Sequence, residues 1–471
     1  MPFALPKSLI SSTSLRRAML PLLILCAAAG SAGADKLDDL VQAEMKRQHI
    51  PGLSLAVVKN GKVIKEKGYG LANVEHKIAV KPQTIFQSGS IGKQFTAALV
   101  MLLVQDGKIA LDDPISKYLE GTPKAWEKIT VRHLLTHTSG LADPYEKLDF
   151  RKDYTDAELL KVEADIPLLF APGEKWAYSN TGYHVLGFLC NKVGGKFYGD
   201  QLAERIFKPI GMKTAIINER NIVPHRAAGY DLEKGELKNQ QWVSPMLNTT
   251  ADGSLYLTAH DLALWDLALY DNQPLSAALK QQSWTPVKLN DGKTHPYGFG
   301  WGLEERNGHR NIAHGGAWQG FTTYISRFPD DKLSVVVLTN VSGVRPGKVA
   351  DQVAAHYLPA LAVQPAKPIE DTEPAVTQQV RGMILKLVEG SLTPEMFSEK
   401  LAERLFPAWV KGAGAELHGL GPLRNLELLE RSVDGENRLY RYRAVFPKGS
   451  ELVRLVYDKA GKIDRMAFIT E

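Results

Sequence analysis

The 471-residue sequence predicts an α/β (α+β) protein: an antiparallel sheet flanked by helices, carrying a helical insert, and followed by a small C-terminal α+β module. Three observations carry this expectation. Two pairs of strand-like runs, each joined by a tight-turn sequence, stand near opposite ends of the first 362 residues. The segment between them spaces its apolar residues as helices do. A proline- and charge-rich stretch at 363–374 then precedes a shorter set of helical and strand patterns.

Taken in chain order, residues 1–34 come first. Lys7, Arg16 and Arg17 precede an apolar run at 18–30 and then Ala32-Gly33-Ala34, the pattern of an export signal cleaved after Ala34. The run is shorter than the ~20 residues that cross a bilayer, so no stable membrane span is expected after cleavage. The expected location is periplasmic or secreted. Lipid anchoring at Cys26 is not expected, because Leu25 stands where lipoprotein processing wants a small residue. Losing the three basic signal residues leaves +2 of the formal +5 charge, and no Lys/Arg run interleaved with aromatics remains, which argues against a nucleic-acid partner. Cys190 would be the one cysteine left, so no intramolecular disulfide is expected.

Residues 52–58 and 63–69 read as strands about an Asn60-Gly61 turn. Residues 91–105 read as a helix, with Phe95, Leu99, Leu102 and Leu103 on one face and Gly107 closing it. Strands at 322–328 and 333–339 flank Pro329-Asp330-Asp331-Lys332. The main domain is therefore set at 35–362, the linker at 363–374 and the module at 375–471. Within the module, 376–406 suggests two amphipathic helices and 426–469 three or four antiparallel strands.

Three motifs carry chemistry. Ser90 precedes Lys93 by three residues at the start of an apolar helix, so both side chains share a face and the amine can approach the hydroxyl. Tyr178-Ser179-Asn180 follows a Pro172-Gly173 turn and reads as a loop offering a phenol for proton relay and an amide for substrate. His314-Gly315-Gly316, followed by Ala317, lies just before a predicted strand, where the paired glycines either let a substrate backbone approach the sheet edge or form a simple turn. Each is common by chance; a helix cap, a surface turn and a structural histidine would explain them singly.

In the order Ser-x-x-Lys, Tyr-x-Asn, His-Gly-Gly, they resemble the signature of the serine β-lactamase and penicillin-binding protein superfamily, closest to its class C-like esterase and D-aminopeptidase branch. HLLTHTSGL at 133–141 and PGEKWAYSNTGYHVLG at 172–187 extend the likeness over roughly residues 40–345. The resemblance implies a Ser90 nucleophile, Lys93 as its activating amine, Tyr178 as proton shuttle, and Asn180 orienting substrate. It places the oxyanion donors on the N–H groups of Ser90 and Ala317, with His314 and Gly316 beside the substrate. An acyl-enzyme on a small-molecule or peptide acyl substrate, such as the cell envelope supplies, is expected, with no cofactor and no metal.

One departure bears on substrate. Relatives that act on β-lactams or D-Ala-terminal peptides usually carry Lys where His314 stands, and a neutral imidazole holds a carboxylate less well. The expected order is therefore carboxylic ester, then D-amino-acid peptide, then β-lactam. His133 and His137 read as structural, and Tyr183, His184 and Trp318 as core. A catalytically silent penicillin-binding-like receptor, and a polymer-binding role for the C-terminal module, remain the rivals.

Overall fold

The computed structural model describes residues 36–470 apart from 214, 216, 218, 219 and 363–365; the expected export signal and Cys26 lie outside the described residues. Two compact units divide the chain, Met1–Ala362 and Val363–Glu471. No helix among the described residues is long and apolar enough to cross a membrane.

The first unit is built on a seven-stranded sheet: β1 (Gly52–Lys59), β2 (Lys62–Asn73), β3 (Ile78–Ala79), β4 (Gly302–Arg306), β5 (His309–Trp318), β6 (Phe321–Phe328) and β7 (Leu333–Thr339). The order is β4-β5-β6-β7-β1-β2-β3, antiparallel throughout. The first hairpin therefore joins the last strand, with Leu53 opposite Thr339 and Lys59 opposite Leu333. Asn60 and Gly61 at φ 51° and 74° give that hairpin the positive-φ turn its twist requires.

Five helices frame this sheet and the site: α1 (Lys36–Arg47), α2 (Lys93–Gln105), α3 (Asn180–Gly194), α4 (Ala259–Ala268) and α5 (Pro346–Tyr357). Strands β1 and β7 are buried on both faces, which is why they read as nearly unbroken apolar runs. Leu55, Val57, Val335 and Val337 share one core with Leu37 and Val41 of α1 and Val349 and Val353 of α5. Ala56, Val58, Val336 and Leu338 share the other with α2, α3 and α4, through Phe95, Leu99, Leu186 and Leu262. Helix α2 is buried from Lys93 to Leu103, so it runs through the core instead of covering it. The expected helix at 91–105 begins differently: Gly89–Gly92 form a tight 3-10 turn and the α-helix starts at Lys93.

The second unit is a four-stranded antiparallel meander, β8 (Asn425–Asp434), β9 (Asn437–Phe446), β10 (Gly449–Tyr457) and β11 (Ile463–Thr470). Helices α6 (Pro374–Glu389), α7 (Glu399–Leu405) and α8 (Ala408–Leu420) supply Val380, Met383, Leu387, Leu401 and Leu417 to one core with Tyr440, Tyr442, Val453 and Leu455. The alternation of LYRYRAVF follows directly, since Tyr440, Tyr442 and Ala444 face inward and the arginines outward. Residues 366–373, read as linker, form no helix or strand but are tied to this unit. Ile369 N–H donates to the Leu428 carbonyl at 2.8 Å, and Tyr440 Oη donates to the Glu373 carboxylate at 2.7 Å.

A buried ionic group stiffens the helical half of the first unit. His184 on α3 places Nδ1 2.6 Å from Glu163 Oε1 and Nε2 3.1 Å from Asp252 Oδ1. Burial works against the imidazolium, but the two carboxylates outweigh it and hold the proton until about pH 10, against an ordinary 6.5. Between those values the folded chain keeps a proton that the unfolded chain has released, so stability declines as pH rises across that window and is complete below it. Urea unfolding of wild type should weaken between about pH 6.5 and 10 more steeply than that of His184→Gln; parallel curves would refute a charged His184.

Candidate active site

Ser90 sits in the 3-10 turn that opens α2, and this turn is held by backbone packing that only glycine permits. Gly89 has φ +52°, and a Cβ there would stand 2.5 Å from the Ala317 nitrogen. A Cβ on Gly316 would stand 2.1 Å from the Ser88 carbonyl oxygen, and one on Gly253 would stand 2.6 Å from the Gly89 carbonyl carbon. Thr323 Oγ1 donates to the Ser88 carbonyl at 2.6 Å and Ser88 N–H donates to the Leu255 carbonyl at 2.7 Å, fixing the turn against β6 and residue 255. The Ser90 and Ala317 amides are thereby brought to one junction.

Lys93 has no exposed surface. Its Nζ donates to Ser90 Oγ at 3.1 Å, Asn180 Oδ1 at 2.7 Å and the Asp252 carbonyl at 2.7 Å. Three acceptors match the three protons of an ammonium. Asn180 is the first residue of α3, and Ser179, with its hydroxyl accepting from Gly182 N–H, is the helix cap, so the motif read as a loop is a helix start. Asp143 fixes it: its carboxylate accepts from Asn180 N–H at 2.7 Å, Thr181 N–H at 3.0 Å and Asn180 Nδ2 at 2.8 Å, which leaves Oδ1 of Asn180 facing Lys93.

Of the three expected catalytic groups, Tyr178 is 38% exposed, Ser90 half-buried and Lys93 fully buried. The Tyr178 ring centroid lies 4.8 Å from Lys93 Nζ and 4.2 Å from the His137 ring. His137, read from sequence as structural, is thus in contact with the motif. Its backbone, at φ 58°, also accepts from Ala177 N–H at 3.0 Å.

His314, Gly315 and Gly316 lie inside β5, not just before a strand: Ala313 through Trp318 pair in register with Ser326 through Phe321 of β6. His314 is buried, and burial lowers it to about 4, so the ring is neutral at ordinary pH. A cleft of about 570 Å³ is lined by Ser90, Tyr178, Asn180, His314, Gly316 and Ala317, together with Tyr324 and Arg345. All seven residues expected at the site are therefore brought together with or beside this cleft; Lys93 stands behind it. Tyr183 and His184 are buried in the core, and Trp318 is partly buried.

Sequence reasoning did not single out Asp143, Asp252, Tyr297 or Arg345. Each acts across a long stretch of chain, and none stands in a pattern of its own. Asp252 and Gly253 had a weak signal in the dipeptide between two apolar segments. Among the described residues no group of three or more His, Cys, Asp or Glu is placed to hold a metal ion.

The comparisons with known proteins converge on one family. The family description Beta-lactamase matches residues 37–358. Penicillin-binding protein 4* of Bacillus subtilis (strain 168) is 30% identical over 326 residues, 64% of this chain and 71% of its own length. Protein flp of Staphylococcus aureus (strain MW2) is 28% identical over 318 residues, and this chain spans 63% of its length, less than two thirds. Among solved structures, the octameric penicillin-binding protein homologue from Pyrococcus abyssi is similar with a TM-score of 0.64 at 25% identity, covering 93% of this chain and 96% of that one. The D-amino acid amidase from Ochrobactrum anthropi SV3, complexed with L-phenylalanine amide, is similar with a TM-score of 0.61 at 25% identity, covering 69% of this chain and 99% of that one. With the matched segment holding the sheet, the helical insert and the Ser90 cleft, the chain belongs to the beta-lactamase family of serine hydrolases.

Proposed function

We propose that this protein is an exported hydrolase that cleaves small esters or D-amino-acid amides and peptides through an acyl-enzyme on Ser90. The observation that carries the reading is the placement of Lys93 Nζ within hydrogen-bonding reach of Ser90 Oγ and Asn180 Oδ1 at the same time. Ser90 Oγ attacks the acyl carbon and the bond to the leaving group breaks. The Oγ proton passes by way of Tyr178 to the leaving oxygen or nitrogen, and a water molecule repeats the route to release the acid. Sequence gives Lys93 the part of base; three acceptors around Nζ support a different one, in which the ammonium stabilises the charge that develops as Oγ loses its proton. The Ser90 and Ala317 amides serve the oxyanion. Export rests on the sequence at 1–34 alone.

The D-amino acid amidase likeness supports amide substrates. A second reading, a substrate with a free carboxylate such as a D-alanyl peptide or a β-lactam, is favoured by Arg345, the permanent cation lining the cleft among the described residues.

The decisive experiment is turnover of a p-nitrophenyl ester, D-phenylalanine amide, a D-alanyl peptide and a chromogenic cephalosporin. Whatever wild type hydrolyses should fall by on the order of 10⁴-fold in Ser90→Ala. A well-folded wild type that turns over none of them returns the protein to the receptor reading. Gly89→Ala should lower kcat on the order of 10²-fold with KM little changed, because its Cβ displaces the Ala317 amide; equal kcat would remove that amide from the oxyanion site. Arg345→Ala should raise KM about tenfold for the D-alanyl peptide, the loss of one charged contact, and leave the neutral ester unaffected. The same change in both would deny Arg345 a role in selecting carboxylates.

A further inference from the structure

We propose that Tyr297 is a positioning residue, its hydroxyl being the middle link of a one-way hydrogen-bond chain from His137 to His314 that fixes both imidazoles as single neutral tautomers and ties the Tyr178–Asn180 segment to strand β5. This deepens the serine-hydrolase reading and rests on it for the catalytic part of its consequences.

The ends of the chain set its direction. Ser179 N–H can only donate, and it points at His137 Nδ1 at 3.2 Å, so that nitrogen carries no proton and the neutral ring holds its proton on Nε2. Nε2 lies 3.1 Å from Tyr297 Oη and donates to it. At the other end the Gly315 carbonyl can only accept, and His314 Nδ1 lies 2.6 Å away, so Nδ1 carries that ring's proton. His314 Nε2 is then an acceptor, and Tyr297 O–H, 2.8 Å away, donates to it. Tyr183, the other hydroxyl stacked on His137, gives its proton to the Leu135 carbonyl at 2.9 Å, so beside the Tyr297 hydroxyl, with which it also interacts, it can act only as an acceptor.

A further proton has to displace a donor already in place. One added to His137 Nδ1 would meet the Ser179 N–H, and one added to His314 Nε2 would meet the Tyr297 O–H. The titratable and charged groups facing the two rings are Lys93, Tyr178, Tyr183 and Tyr297. Burial and the Lys93 charge both press the imidazoles toward neutrality, His137 well below the ordinary range and His314 to about 4.

Two consequences follow for the site. Held at both nitrogens, the His137 ring offers a fixed face 4.2 Å from the Tyr178 ring, on the side away from the open cleft mouth that Tyr178 lines. His314, with both nitrogens engaged inside the protein, has no free nitrogen for substrate. It fixes the strand next to Gly316 and Ala317 instead of binding the acyl compound.

Tyr297→Phe keeps the ring and removes the link. The expected result is a kcat about 10- to 100-fold lower with KM within about threefold. The acid limb of kcat/KM should also move up from near pH 4 while staying below the ordinary imidazole value of ~6.5, because the O–H that holds His314 Nε2 as an acceptor is gone but burial and Lys93 still oppose the imidazolium. A merely structural tyrosine would not move that limb, and an unchanged kcat and limb would overturn the proposal. ¹⁵N-histidine spectra of wild type and Ser90→Ala, assigned with His137→Asn and His314→Asn, give a readout that needs neither turnover nor a folded Tyr297 variant. They should show His137 protonated at Nε2 and His314 at Nδ1, with neither ring titrating near the ordinary imidazole value of ~6.5. Either ring in the opposite tautomer, or titrating near 6.5, would overturn the chain even if Ser90 proves to be the nucleophile. Absent turnover with both tautomers as expected would instead sink the hydrolase reading alone.

Discussion

Lys93 is a cation without solvent, and the arrangement around it follows from that one fact. Withdrawing an ammonium from water costs several kcal/mol even after relaxation, and the cost is met only when every N–H finds an acceptor and opposite charge lies close. The acceptors come from three distant places, Ser90, Asn180 and Asp252, and each is itself restrained. Asp143 turns the Asn180 amide so that its oxygen faces the lysine. His184, with Glu163 behind it, holds the carboxylate of Asp252, whose main-chain carbonyl takes the third proton. A change at Asp143 or His184 therefore reaches the Ser90 hydroxyl without touching the cleft.

A second constraint is made of backbone. The turn at 88–90 lies between the strand at 316–317 and the chain at 253 with no room for a Cβ on any of the three facing residues. This contact can form only after the sheet has closed, because β5 reaches the turn through β6 and β7, which pair with β1 from the other end of the unit. The site is thus a product of long-range closure. Neither the nucleophile turn nor the strand beside it has the geometry alone, and the helical insert between them contributes α3 with Asn180.

How much of this could be read from the residues varies with the range of the interaction. The two hairpins and the antiparallel sheet were legible because their signals are local, a positive-φ Asn-Gly turn and unbroken apolar runs; the seven residues in or behind the cleft came from the resemblance of three motifs in order, of which only the serine one helical turn from a lysine is a local signal. Details that depend on partners were not. The 3-10 start at Gly89–Gly92 is docked against Ala317, and Ser179-Asn180 looks like a loop until Asp143 takes the first two N–H groups of α3 beside the Ser179 cap. His314-Gly315-Gly316 reads as lying ahead of a strand because paired glycines weaken one; only the close approach of Ser88 explains their presence inside it. His137 was taken as structural for want of a local pattern, since Tyr297 stands 160 residues away.

The same electrostatics account for histidine at the head of the third motif. A lysine there would bring a second permanent charge toward Lys93, whose three protons already occupy the acceptors at hand. A neutral imidazole adds no charge, and burial, with the Lys93 charge adding to it, already holds both histidines below their ordinary range. Burying Lys93 beside a neutral ring leaves the Asp143, Asp252 and Glu163 carboxylates to balance two cations, Lys93 and His184, not three. The permanent cation that lines the cleft among the described residues, Arg345 just before α5, lies in solvent and carries its charge at little cost. On the function proposed above, separating the cation beside the serine from the cation facing the substrate lets the second vary without disturbing the first.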